Sequence, residues 1–220
     1  MCQEVGKLAG KIQELLKPEL PGSHSHQKMM PENRKLFSDL KVERLAAVVV
    51  LLFPEGGDIK ISLIQRTRYD GAHSGQISFP GGMKEESDPD LKYTGLRETS
   101  EETGLIPDDI QILGRLSPVI IPVSRFEVHP FVGMVYKTPH FRPDPLEVEF
   151  MINIPVRHFL EGRNRLKEVW NLSGTDIYVP FFQYENFRIW GATAMIFSEF
   201  LDVIEAIEPD RWVLQCSDND

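Results

Sequence analysis

The sequence predicts a mixed α/β (α+β) domain, a mixed β-sheet covered by helices, with an N-terminal helical extension. Three observations predict it. An almost unbroken apolar run at residues 44–53, RLAAVVVLLF, has the length and composition of a strand buried on both faces. An alternating segment at 59–65 follows a Pro-Glu-Gly-Gly-Asp turn, which is the pattern of a hairpin. Strand-like stretches then alternate with segments of helical period, as expected where helices cover a mixed sheet.

Taken in order, Val5, Leu8, Ile12, Leu15 and Leu16 form a helical stripe over residues 3–17. Pro18 and the Pro21-Gly22 pair end it. Gly22, Ser23, His24, Ser25 and His26 read as a polar, solvated linker. Residues 1–41 are therefore expected to be an N-terminal helix and linker, and 42–220 the main domain. After the hairpin comes a glycine-rich loop at 71–82, then a helix at 88–103. Asp88 suits the N-cap, Pro89 the first helical position and Gly104 the residue past the end. Further strands are expected at 110–116, 127–136, 148–154 and 177–182. A closing helix is expected at 192–207, with Ala194, Phe197, Leu201 and Ile204 on one stripe. Phe126, Phe131, Phe181 and Phe182 are expected in the core.

The balance of 41% hydrophobic and 26% charged residues suits one globular core. The net charge of −9 disfavours nonspecific binding to nucleic acid or to a membrane surface, which needs a basic field. Cys2 and Cys216 have no metal-site spacing. No stretch resembles a signal peptide or a membrane span. The expectation is a reduced, cytoplasmic, soluble protein.

The helix at 88–103 carries the chemistry. Glu98, Glu101 and Glu102 stand at i, i+3 and i+4, on one face. Each like-charged pair costs a few tenths of a kcal/mol, and the helix dipole disfavours anions at that end. A solvated acidic face balanced by Arg97 is one reading. The other is a cation site, because Mg²⁺ and similar hard ions favour carboxylate oxygens. Gly81-Gly82 ahead of the helix favours the second: a loop without side chains lets backbone approach metal or phosphate.

The stretch from Arg97 through Glu98, Glu101 and Glu102 to Gly104-Leu105 resembles the signature of the Nudix hydrolases, G-x5-E-x7-R-E-U-x-E-E-x-G-U with U aliphatic. Thr99 stands at an aliphatic place, Asp88 stands for the first glutamate, and the interval from Asp88 to Arg97 is one residue longer than usual. Upstream, Arg66, Arg68 and Gly75-Gln76-Ile77-Ser78-Phe79-Pro80-Gly81-Gly82 are similar to the additional signature of the coenzyme A diphosphatase branch. Gly71 falls where that signature has an arginine. The likeness extends to residues 121–124, 130–133 and 190–194.

The resemblance implies a Nudix-type α/β/α sandwich and a diphosphatase using Mg²⁺ or Mn²⁺. Glu98 and Glu102 would be metal ligands, with the Gly82 carbonyl joining them. Glu101 would be a further ligand or the general base, and Arg97 would orient the glutamates. Arg66, Arg68, His73, Gln76 and Gly81 would bind substrate. The expected partner is a small coenzyme A-like nucleotide, not nucleic acid or membrane, with a homodimer as one possibility. Cleavage would give adenosine 3′,5′-bisphosphate and 4′-phosphopantetheine. The alternatives are hydrolysis of ADP-ribose or another nucleoside diphosphate derivative, and a Nudix-fold module that binds without catalysis.

Overall fold

The structure is a computed structural model describing residues 3–32, 41–67, 75–160, 164–172 and 174–214. In chain order the elements are α1 (Gln3–Leu15), α2 (Ser23–Gln27), β1 (Arg44–Glu55), β2 (Asp58–Arg66), β3 (Ile77–Ser78), β4 (Gly81–Met83), α3 (Leu91–Thr103), β5 (Gln111–Arg115), β6 (Val119–Ile121), β7 (Phe126–Met134), β8 (Val148–Pro155), α4 (Arg157–Leu160), β9 (Arg165–Leu172), β10 (Thr175–Tyr184), β11 (Phe187–Trp190) and α5 (Gly191–Ile204). Eight strands form a mixed sheet in the order β3-β2-β1-β7-β5, with β4 added to β1, β6 to β7 and β8 to β2. Only the β1–β7 pairing in it is parallel. A separate antiparallel sheet runs β11-β10-β9.

The apolar run predicts β1 and its two-sided burial correctly. Val49, Leu51 and Phe53 pack with Leu105, Ile110, Val135 and Leu96 of α3 on one side. Ala46, Val50 and Leu52 face the larger cluster with Ile61, Leu63, Ile152 and the α5 residues Phe197 and Phe200. Alternate side chains of one strand thus join the two cores of an α/β/α arrangement. Each such Val, Leu or Phe contributes about 1.5–3 kcal/mol by leaving water. Gly95 lets α3 lie close on the sheet: a Cβ there would stand 3.3 Å from Val49 Cγ2.

The N-terminal helix forms as predicted and docks on the same core. Val5, Leu8, Ala9, Ile12 and Leu16 are buried in the larger cluster. The polar linker does not form. Residues 23–27 are a short helix, with Ser25 and His26 buried. Glu199 of α5 is fully buried. Its carboxylate lies 3.0 Å from His26 Nε2 and accepts hydrogen bonds from Gly22 N (3.1 Å) and Ser117 N (3.0 Å). Burial alone would raise the Glu199 pKa, but the bonds from His26 and Ser117 outweigh it and hold the group below its usual value. Ser25 and Lys28 both reach Asp202. The segment escapes a search for apolar stripes because polar pairs anchor it.

Other expectations shift in detail. The N-cap of α3 is Asp90, whose carboxylate accepts Tyr93 N at 2.8 Å, and not Asp88; Pro89 accordingly precedes the cap. Gly104 closes the helix in the left-handed region at φ 71°, as predicted. The closing helix ends at Ile204. Strands β3, β4, β6, β9 and β11 carry too little alternation to be read from sequence. Phe181 and Phe182 are buried core residues, whereas Phe126 and Phe131 are half-buried.

His26→Phe leaves the buried Glu199 carboxylate without its imidazole partner. The expected cost is about 3 kcal/mol of unfolding free energy, read as a lower denaturant midpoint at constant slope.

Candidate active site

Two strands and one helix meet at the site. β4 pairs antiparallel with the first half of β1, placing Gly81 opposite Val48 and Gly82 opposite Ala47. Gly81 takes φ +145°, and a Cβ there would stand 2.3 Å from Ala47 O. No side chain fits in that backbone conformation or in that space. Phe79 anchors the preceding residues in the core against Phe197. The glycine strand therefore lies flat under α3.

Above it the three glutamates separate. Glu102 is fully buried, Glu98 is 16% exposed and Glu101 is 55% exposed. Glu98 sits directly over Gly82: a Cβ on that glycine would be 2.3 Å from its Oε2 and 2.8 Å from its Oε1. Glu102 accepts Arg66 Nη1 at 2.8 Å on Oε1 and Gly81 N at 2.7 Å on Oε2. Glu101 turns outward to Arg97 Nη1 at 2.9 Å. Arg66 thus serves Glu102, and Gly81 offers its N–H to the same carboxylate. Gln76 stands half-buried at the loop neck, where its carbonyl accepts Arg66 N at 3.0 Å. Arg68, His73 and Gly71 lie outside the described residues.

Arg97 organises the acidic face. Its Nε and Nη2 bind the two Asp88 oxygens at 3.0 Å each, and Nη2 also reaches Met83 O (3.2 Å) and Glu98 Oε1 (3.0 Å). Asp88 is buried and further accepts Glu85 N and Thr94 Oγ1. The Arg97 guanidinium, with these bonds, holds the Asp88 carboxyl well below the usual range. Asp88 stands at the signature's first glutamate and acts here by positioning Arg97.

Burial pushes the Glu102 pKa up to about 7, against the pull of Arg66 and Gly81 N–H; Glu98 and Glu147 push the same way. Burial also raises Glu98, with Arg97 opposing. Glu147 is the functional candidate that sequence reading missed. It is exposed, precedes β8 and adds its negative charge to both glutamates. No spacing rule connects it to α3; only the β2–β8 pairing brings it near. Among the described residues no three acidic or histidine side chains converge as a ready metal cage. The donor set nonetheless suits a hard cation. Asp88, Glu98, Glu101 and Glu102 set four carboxylates against the two guanidinium groups of Arg66 and Arg97, and Gly82 brings bare backbone beside them.

Comparison with known proteins identifies the family. A family model for the NUDIX domain matches residues 43–155. The chain is 36% identical to Nudix hydrolase 22, chloroplastic, of Arabidopsis thaliana, over 69% of this chain and 52% of that protein. It is 33% identical to mitochondrial coenzyme A diphosphatase NUDT8 of Homo sapiens, over 69% of this chain and 65% of that one. It is 32% identical to the Nudix hydrolase NudL of Klebsiella pneumoniae, over 71% of this chain and 81% of that one. The chain belongs to the Nudix family. It spans 52% and 65% of the length of the plant and human relatives. No helix among the described residues is long and apolar enough to cross a membrane.

The sign of the Glu102 shift gives a test on metal-free protein. A carboxyl whose folded pKa is raised favours folding while protonated, and that contribution is lost as pH rises from the unfolded value through about 7. Wild-type Tm is expected to fall relative to Glu102→Gln between about pH 5 and about pH 8. Parallel Tm profiles would contradict it.

Proposed function

We propose that this chain hydrolyses the diphosphate bond of coenzyme A or its derivatives, with Mg²⁺ or Mn²⁺ held by Glu98 and Glu102. The observation that carries the reading is the Glu98 carboxylate lying against the bare backbone of Gly82 beside the buried Glu102. That arrangement costs desolvation and repulsion, which a divalent cation offsets. The bound ion would neutralise the diphosphate and make an adjacent water more acidic.

The chain's own groups then have defined tasks. Gly82 offers its carbonyl beside the glutamate pair. Arg66 and Gly81 N–H fix Glu102, while Arg97 fixes Glu98 and is braced by Asp88 and Glu101. Glu147, exposed and close to both ligands, accepts the proton from the attacking water. The water oxygen bonds to phosphorus and the bridging P–O bond breaks. The bridging oxygen leaves with the other phosphate. Glu101, engaged by Arg97 and facing solvent, is assigned to bracing rather than to proton transfer.

The substrate class is supported by the segment ending in Phe79-Pro80-Gly81-Gly82 and by the likeness to a protein named as a coenzyme A diphosphatase. Arg68, His73 and Gln76 are proposed to meet the substrate from the loop. The protein would act in the cytoplasm on a small nucleotide, without nucleic acid or membrane, as a monomer or homodimer.

Coenzyme A cleavage in Mn²⁺ is expected to fall by at least about a thousandfold in Glu102→Gln. Full activity in that variant would sink the metal assignment. A kcat/KM panel over coenzyme A, an acyl-coenzyme A and ADP-ribose is expected to favour the coenzyme A compounds. Preference for ADP-ribose would move the substrate while leaving the chemistry, and tight binding without turnover would indicate a non-catalytic module.

A further inference from the structure

We propose that Thr67 is a positioning residue, whose side chain fastens the 144–147 turn to the neck of the glycine-rich loop and so holds the Glu147 carboxylate at the glutamate pair. The inference rests on the proton-acceptor role given to Glu147 above. It adds a residue that neither the helix motif nor the loop motif singles out.

The link between loop and turn begins at the end of β2. Against β8 the register slips between Gln65 and Arg66: Gln65 pairs with Phe150, but Arg66 pairs with Val148. The slip leaves Glu149 as one extra residue on β8 just after the turn. Beyond it, Thr67 N donates to Glu147 O at 3.0 Å. Thr67 Oγ1 donates to Leu146 O at 2.9 Å. Thr67 O accepts Gly75 N at 3.2 Å, which closes the loop neck. One half-buried residue thus spends three polar groups, two on the turn and one on the loop.

The turn has little else to hold it. Leu146 is 82% exposed, so no apolar side chain at its apex anchors it in the core. Its internal bonds are Leu146 N to Asp144 Oδ1 (2.8 Å) and Glu147 N and Val148 N to Asp144 O (3.1 and 2.8 Å). These shape the turn but do not fix it relative to α3. The chain entering the turn is tied to α3 by Arg142 N, which donates to Thr103 O at 2.8 Å; within the turn itself the fixing contacts are the β2–β8 ladder and Thr67. Glu147 precedes Val148, the pairing partner of Arg66, so its backbone stands beside the strand end that carries the Arg66–Glu102 pair, and its exposed side chain rotates cheaply unless that backbone is held. A displacement of about 1 Å is enough to cost catalysis heavily. The two backbone bonds survive any side-chain substitution, so the hydroxyl is the part that a variant can remove.

Thr67→Val keeps the branched shape and deletes that hydroxyl, and Thr67→Ser keeps the hydroxyl. In the full chain with Mn²⁺ and coenzyme A, Thr67→Val is expected to lower kcat about tenfold with KM changed less than about twofold. Thr67→Ser is expected to restore most of the loss. In a Glu147→Gln background, Thr67→Val should cost nothing further, because the group it positions is gone. Equal losses in both backgrounds, or no recovery with serine, would overturn the proposal. If wild-type protein cleaves no diphosphate, the functional reading fails by itself. Wild type, Thr67→Val, Glu147→Gln and the double variant are then compared by Mn²⁺ dissociation constant. Weaker binding caused by Thr67→Val only where Glu147 is present supports the positioning role, and equal weakening or none overturns it.

Discussion

The site depends on a single charged contact, the two-pronged pairing of Arg97 with Asp88. Both Asp88 oxygens are taken by the guanidinium, and the backbone N–H of Glu85 and the hydroxyl of Thr94 fix the aspartate in turn. Nη2 of Arg97 also reaches Glu98, and Nη1 reaches Glu101. A guanidinium is a rigid fork, so fixing one edge aims the other. Arg97 thus steadies Glu98 and Arg66 steadies Glu102, while burial still raises both carboxyls. In the proposed function a divalent cation offsets that cost.

The fold brings three distant segments to this point by different means. The β4 strand adds to β1 at Gly81 and Gly82, where any Cβ would collide with neighbouring backbone or with Glu98. Helix α3 lies close enough over that strand because Gly95 brings it onto Val49 and Ala47. The β2–β8 ladder carries Arg66 to Glu102 and brings Glu147 alongside. The N-terminal segment is closed over α5 by the His26–Glu199 pair, and α5 in turn anchors Phe79 ahead of the glycine strand through Phe197.

Much of this was legible in the residues. Continuous burial of β1 and the α3 helix with its terminal glycine follow from composition and period. The glutamate face follows from spacing alone. What escaped has physical causes. Ser23–Gln27 is helical through buried polar partners far along the chain, which no apolar pattern records. Asp88 looks like a cap because its type suits one, yet Asp90 takes that task and Asp88 serves Arg97. Arg66 reads as a surface or substrate charge until tertiary pairing shows Glu102 against it. Glu147 carries no motif because its proximity to the glutamates is made entirely by strand register.

The central claim is that Glu98 and Glu102 together hold the divalent ion. Anomalous diffraction from crystals soaked in Mn²⁺ tests it most directly. A peak is expected between the Glu98 and Glu102 carboxylates, on the side facing Gly82. Ordered glutamates with no peak between them, or Mn²⁺ bound elsewhere in the chain, would contradict it.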